Sequence, residues 1–213
     1  MNSLNEQRAQ IVTQQLFGLK PDDTTPTNDF NVSPEYTLIT HLPEGINNSI
    51  NAIVDELKTR FPEHYYYAPS QYHLTVVPIP HSMDPAQITE AIAPVLSGWR
   101  LPIHARGVVA NRLQAGVVLY PEEETLIPQR LKLRAALGIP EQAYTTHNPV
   151  WEELLWSNFM RFTTKPEEEL LALLRAYVNQ DLGNFVLSSY ELYEVSTKTL
   201  DPASSKLLHI FDA

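Results

Sequence analysis

Along residues 46–61 apolar side chains recur at Ile46, Ile50, Ile53, Val54, Leu57 and Phe61. Steps of three and four draw one stripe down a helix, and Pro62 ends it. The same periodicity predicts helices over 3–17 (Leu4, Ile11, Val12, Leu16) and from Pro85 towards Gly98 (Ile88, Ile92, Val95, Leu96). It predicts two more over 122–137 and 166–179, the last with Leu170, Leu173, Leu174 and Tyr177 as its stripe. Local signals agree. Ser3 with Glu6 forms a capping-box pattern and Gly18 follows the first helix. Asp84-Pro85 marks an N-cap with proline in the first turn, and Pro128 moves the start of the fourth helix to Leu126 or Ile127.

Between these segments the pattern changes to runs of β-branched and aromatic residues. Strands are predicted over 36–42, 71–78, 100–110, 115–120, within 151–163, over 185–195 and over 206–211. Residues 19–34 are rich in turn formers and read as a linker behind the first helix. From residue 35 the order is β-α-β-α-β-β and then α-β-α-β-β, so the second half nearly repeats the first. The expected fold is α+β: two pseudo-symmetric lobes, each a mixed or antiparallel sheet with helices outside, facing each other across a central cleft. The lobes are drawn at roughly 35–120 and 121–213, with 1–34 as an N-terminal addition. A cleft between lobes is a common place for a ligand.

In the strand Gln71-Tyr72-His73-Leu74-Thr75-Val76-Val77-Pro78, side chains alternate faces, so His73 and Thr75 point the same way. An imidazole can move a proton near neutral pH, and a hydroxyl can hold an oxyanion. A single strand histidine is more often structural, so the pair acquires meaning only from its surroundings.

Composition narrows the field. The chain has no cysteine, which excludes disulfides, thiolate chemistry and cysteine-based zinc sites. No grouping of His, Asp and Glu has metal-ligand spacing, so neither a metal nor another cofactor is expected. The net charge of −10, from 15 Lys+Arg against 25 Asp+Glu, disfavours binding a long nucleic acid duplex. One basic pocket for a small phosphate-bearing ligand remains compatible with that total. The first residues lack the apolar core of a signal peptide, and no apolar run approaches the ~20 residues of a membrane span. A soluble, cytoplasmic monomer is expected.

The strand order, together with Leu38-Ile39-Thr40-His41-Leu42-Pro43-Glu44-Gly45, Tyr72-His73-Leu74-Thr75-Val76 and Leu155-Trp156-Ser157-Asn158-Phe159-Met160-Arg161-Phe162, resembles the 2H phosphoesterase superfamily. These are the 2′-5′ RNA ligase-like or cyclic phosphodiesterase-like proteins, and the resemblance covers about residues 35–211. It implies two lobes that each bring a His-x-Thr/Ser motif to a shared cleft. One histidine would be general base and the other general acid on a phosphodiester, with hydroxyls holding phosphate oxygens and no metal. His73 and Thr75 match the first motif. At the second, anchoring on Arg161 puts Trp156 where the family has histidine and Asn158 where it has threonine. Tryptophan cannot transfer a proton, but it can stack on a base or sugar. Asn158 can donate two hydrogen bonds to a phosphate oxygen.

The resemblance therefore implies His73 and Thr75 as catalytic, and Asn158, Arg161 and Trp156 as substrate- or phosphate-binding. Arg161 suits a structural carboxylate or carbonyl contact equally well, because its planar fork fits both. His41 and His147 are the histidines that could replace the missing one. His41 and His104 are expected to be buried or at an edge, and His64, His81 and His209 at surface or loop positions. Tyr65-Tyr66-Tyr67 reads as loop packing, and the two runs of three glutamates as solvated first turns of helices. Three functions follow. The first is a 2H-type phosphoesterase acting on a cyclic or 2′-5′ phosphodiester of a nucleotide or short RNA end, with reduced or altered activity. The second is a non-catalytic binder of a nucleotide or phosphometabolite in the same cleft. The third is an interaction protein using residues 1–34 as an arm.

Overall fold

The computed structural model describes residues 3–140 and 152–212. Its elements, in order, begin with α1 (Ser3–Gly18), β1 (Asn31–His41), α2 (Glu44–Arg60), β2 (Tyr65–Tyr66), β3 (His73–Ile79) and α3 (Pro85–Leu96). They continue with β4 (Leu101–Ala110), β5 (Gln114–Pro121), α4 (Leu126–Ala136), β6 (Leu155–Arg161) and α5 (Glu168–Ala176). The chain closes with β7 (Asp181–Leu187), β8 (Ser189–Thr197) and β9 (Ser205–Asp212). Local chemistry sets several of these limits. The Asp84 carboxylate accepts from the backbone N–H groups of Ala86 and Gln87 at 2.8 and 3.2 Å, which caps α3. In α2 the predicted stripe is the buried face: Ile46, Ile50, Ile53, Val54 and Leu57 are all enclosed.

The strands form two sheets in the orders β3-β1-β8-β9 and β2-β6-β5-β4-β7. All of these strand pairings are antiparallel. The architecture is thus α+β and bilobal, with β3-β1-β8-β9 of one sheet matched by β6-β5-β4-β7 of the other. The matching connections are β1-α2-β3 and β5-α4-β6. One continuous apolar core runs from Leu38, Leu74 and Leu192 of the first sheet to Val117, Phe159 and Leu174 beneath the second.

The halves drawn at residue 120 do not coincide with the sheets. β4 and β5 pair into the second sheet with β6 and β7, and β8 and β9 return to the first. The stretch read as one strand over 185–195 is two: β7 pairs with β4 and β8 with β1, so the chain changes sheets around Ser188. No glycine or proline marks that crossing in Phe185-Val186-Leu187-Ser188-Ser189-Tyr190, so propensity alone reads straight through it. His64, expected at the surface, is buried at 5% exposure with its ring 5.7 Å from that of Phe162.

Residues 3–30 are fastened to the second sheet. Leu16 and Leu19 are in the main core. The Thr25 and Thr27 N–H groups donate to the carbonyls of Arg112 and Phe162 at 2.7 and 3.0 Å, and Arg175 donates to the Leu19 carbonyl at 2.7 Å. Lys165 pairs with Asp22. A free arm is not what these contacts describe. No helix among the described residues is long and apolar enough to cross a membrane.

Candidate functional site

The two sheets meet where β3 runs beside β6. β3 is an edge strand, and β2 covers only Met160 and Arg161 at the far end of β6. The remaining lengths border a cavity of about 300 Å³. β3 contributes His73, Thr75, Val76 and Pro78, and β6 contributes Leu155, Trp156 and Asn158. Arg130 and Arg134 of α4, with Glu152, complete the wall. Alternation explains Trp156 and Asn158: on β6 these two reach the opening, while Ser157 and Phe159 are buried.

His73 is set up as a neutral base. Its Nδ1 lies 2.7 Å from the Gln71 carbonyl oxygen. A carbonyl only accepts, so in the neutral ring Nδ1 carries the proton and Nε2 keeps the lone pair. Burial pushes the imidazole down to about 4, opposed by the bond to Gln71 and reinforced by the charges of His41 and Arg161. At neutral pH His73 is therefore uncharged. Thr75 is exposed at the cavity mouth.

Arg130 ties the lobes together at this point. It is 7% exposed, and its Nε and Nη2 donate to the carbonyls of Val76 and Thr75 at 3.0 and 3.2 Å. Its Nη1 donates to the carbonyls of Glu152 and Leu154 at 2.6 and 3.4 Å. These acceptors are available because β3 is an edge and because a bulge opposite Leu38 and Ile39 leaves Val76 unpaired in the ladder. Burial lowers Arg130 to about 10, which leaves it cationic at neutral pH. Arg134 binds the Glu152 carboxylate at 2.9 Å. The wall thus carries two guanidiniums against one carboxylate, a local positive balance within an acidic chain.

His73, Thr75, Trp156 and Asn158 are brought to one cavity; Arg161 is not part of its lining. Arg161 is 4% exposed, donates from Nε to the Tyr67 hydroxyl at 2.7 Å and from Nη2 to the Lys198 carbonyl at 3.3 Å. Its guanidinium also lies over the Phe30 and Tyr67 rings at 5.5 and 5.9 Å. Its Nε and Nη2 are engaged in structure, and its field helps keep His73 neutral.

His41 stands directly opposite His73 in the β1–β3 register, so the two imidazoles share a face. His41 Nδ1 is 3.2 Å from the Tyr72 carbonyl and Nε2 3.5 Å from the Glu191 carboxylate, and the ring does not line the cavity. His147 lies outside the described residues. Sequence reasoning missed Arg130, Arg134 and Glu152. The signal was two arginines four apart among Leu126, Leu133 and Leu137, on the buried side of α4.

No family model matches the chain, and no curated protein does. Solved structures do. TT0787 of Thermus thermophilus aligns over 84% of this chain and 97% of its own, at 14% identity and a TM-score of 0.55. The conserved protein of unknown function ATU0111 from Agrobacterium tumefaciens aligns over 89% and 90%, at 15% identity and a TM-score of 0.54. E. coli LigT complexed with 3′-AMP aligns over 84% and 98%, at 16% identity and a TM-score of 0.49. The chain shares its bilobal α+β fold with TT0787 and ATU0111. At these identities the likeness concerns the fold; what the site does must be argued from its own side chains.

Proposed function

We propose that this protein is a 2H-type phosphoesterase that acts on a cyclic or 2′-5′ phosphodiester of a nucleotide or short RNA end, with one imidazole where the family has two. The observation that carries it is the convergence of His73, Thr75, Trp156 and Asn158 on a single cavity at the lobe junction. The local balance of Arg130, Arg134 and Glu152 favours an anionic ligand there. In this reading His73 Nε2 takes the proton of a water as its oxygen attacks phosphorus. The P–O bond to the leaving hydroxyl breaks, and solvent supplies that oxygen's proton. The Thr75 hydroxyl and the Asn158 amide donate to the non-bridging oxygens. A positioned acid or base contributes about 10²–10⁴-fold, so replacing one of the pair by Trp156 leaves a slow enzyme.

The test is hydrolysis of nucleoside 2′,3′-cyclic phosphates and short 2′-5′ oligonucleotides by the protein and by His73→Ala. Slow turnover that disappears in His73→Ala is expected; turnover unchanged by that substitution removes the enzymatic reading.

Trp156, standing where a proton-transfer group would be needed, favours a second reading: a non-catalytic nucleotide or phosphometabolite binder. It requires ligand-dependent thermal stabilisation without product, weakened by Thr75→Val and by Asn158→Ala. If no phosphate compound stabilises the protein and none is turned over, both readings fall.

A further inference from the structure

A second cavity, of about 190 Å³, lies on the other side of Trp156 and Asn158, which line both. It exists because α1 is not on the outside of its lobe. Val12 and Ala9 pack on Val109, Val118, Tyr120 and Leu154. In the ladders Val118 is opposite Trp156, Val109 opposite Gly116, and Gly116 opposite Asn158. Directly opposed residues share a face, so α1 lies on the cleft side of the second sheet and walls off part of it. One turn beyond Val12, Gln15 reaches the cavity and is exposed there. Its floor is Gly116, where a Cβ would run into the Ser157 carbonyl oxygen. Side chains are excluded from that spot, and a shallow backbone floor is left beside the Trp156 ring.

The lining is chemically selective. Four carboxamides, Gln15, Asn111, Gln114 and Asn158, surround one indole that is 36% exposed. A carboxamide offers a donor and an acceptor on one edge, which matches the alternating edges of a nucleobase, and an indole face is a sequence-tolerant stacking platform. The turn fixes the Asn111 amide. Its Oδ1 accepts from the Leu113 and Gln114 N–H groups at 2.8 and 3.1 Å, which turns its NH₂ group outward as a donor.

We propose that this second cavity is a nucleobase subsite built by the N-terminal helix, with Gln15 as the residue that reads the base. The assignment rests on the reading of the first cavity as the phosphate site. A ligand of mononucleotide size then spans Trp156, its phosphate beside His73 and Thr75 and its base beneath Gln15. The two volumes together fall within the ~300–1,000 Å³ usual for small-ligand sites. α1 also blocks extension of the ligand along the second sheet, which selects short substrates over long RNA.

Calorimetric titration with the four nucleoside 2′- and 3′-monophosphates and with ribose 5-phosphate tests this without requiring turnover. At least one nucleotide should bind about tenfold or more tightly than the sugar phosphate, as expected for one stacked base. Gln15→Ala should narrow the spread among bases. Gln15→Trp, which fills the cavity, should bring nucleotides down to the sugar phosphate, whose own affinity stays unchanged. Gln15 is exposed, so an unchanged melting temperature certifies that both variants fold. Equal binding of nucleotides and ribose 5-phosphate, or a base preference untouched at position 15, overturns the subsite and leaves the phosphate site standing. No binding by any probe overturns the phosphate reading, and the subsite with it.

Discussion

Replacing Arg130 by methionine tests how the lobes are held at the site. Arg130 makes four bonds to backbone carbonyls, two on β3 and two on the segment entering β6. The bonds to Val76 and Glu152, at 3.0 and 2.6 Å, are well formed; those to Thr75 and Leu154, at 3.2 and 3.4 Å, are longer. Bonds to a charged group contribute about 1.5–3 kcal/mol each. Taking the two short ones at the low end, and the long ones as negligible, gives a loss of about 3 kcal/mol. Methionine keeps most of the buried volume, so the cavity contribution stays small. Replacing a buried ion by an apolar residue can be neutral when its partners are replaced too. Here the partners are backbone carbonyls, which cannot be replaced and are left without a donor. For a chain of this size about 3 kcal/mol lowers the melting temperature by ~6–12 °C. Urea denaturation followed by fluorescence and by circular dichroism measures it, with coincident transitions confirming one cooperative unit. Arg130→Lys should fall between, since an ammonium reaches fewer carbonyls. If Arg130→Met loses under about 1 kcal/mol, the four bonds are not what joins β3 to β6.

Trp156→His restores an imidazole across the cavity from His73. Turnover of a 2′,3′-cyclic nucleotide should rise by about 10²-fold or more, and an unchanged rate would remove position 156 from the acid–base geometry. His73 is held near 4 in the fold against about 6.5 unfolded, so the unfolded chain takes up its proton first. Its contribution to stability is complete above pH ~6.5 and is lost as pH falls towards 4. Buried His64, also shifted down by burial, acts in the same direction. Urea titrations at pH 7 and pH 4.5 should show a smaller acid loss in His73→Gln than in the parent; an equal loss refutes it. Leu16→Ala should cost about 2–5 kcal/mol because Leu16 is fully enclosed in the main core. A cost below ~0.5 kcal/mol would mean that α1 is dispensable to the fold.

The sequence by itself determined most of the elements. The helices and nearly every strand are local patterns of period 3.6 and 2, and most of the repeating apolar positions of α2, α3 and α5 are buried, whereas Ile11 of α1 is exposed. It also placed His73 beside Thr75, because neighbours two apart on a strand must share a face. The tertiary structure decided what local pattern cannot encode. Which strands pair is a long-range choice, so β4 and β5 joined the later strands, and the change of sheet near Ser188 passed without a turn signal. The places of Arg161 and Arg130 were long-range choices too: Arg161 is held by Tyr67 and Lys198, and Arg130, which no motif marked, stands on the cavity wall. A guanidinium's role depends on which carbonyls or hydroxyls lie within about 3 Å, and those come from residues distant in the chain. Likewise α1 carried a helix pattern, but only the apolar face formed by Val109, Val118 and Tyr120 determined that it would lie in the cleft.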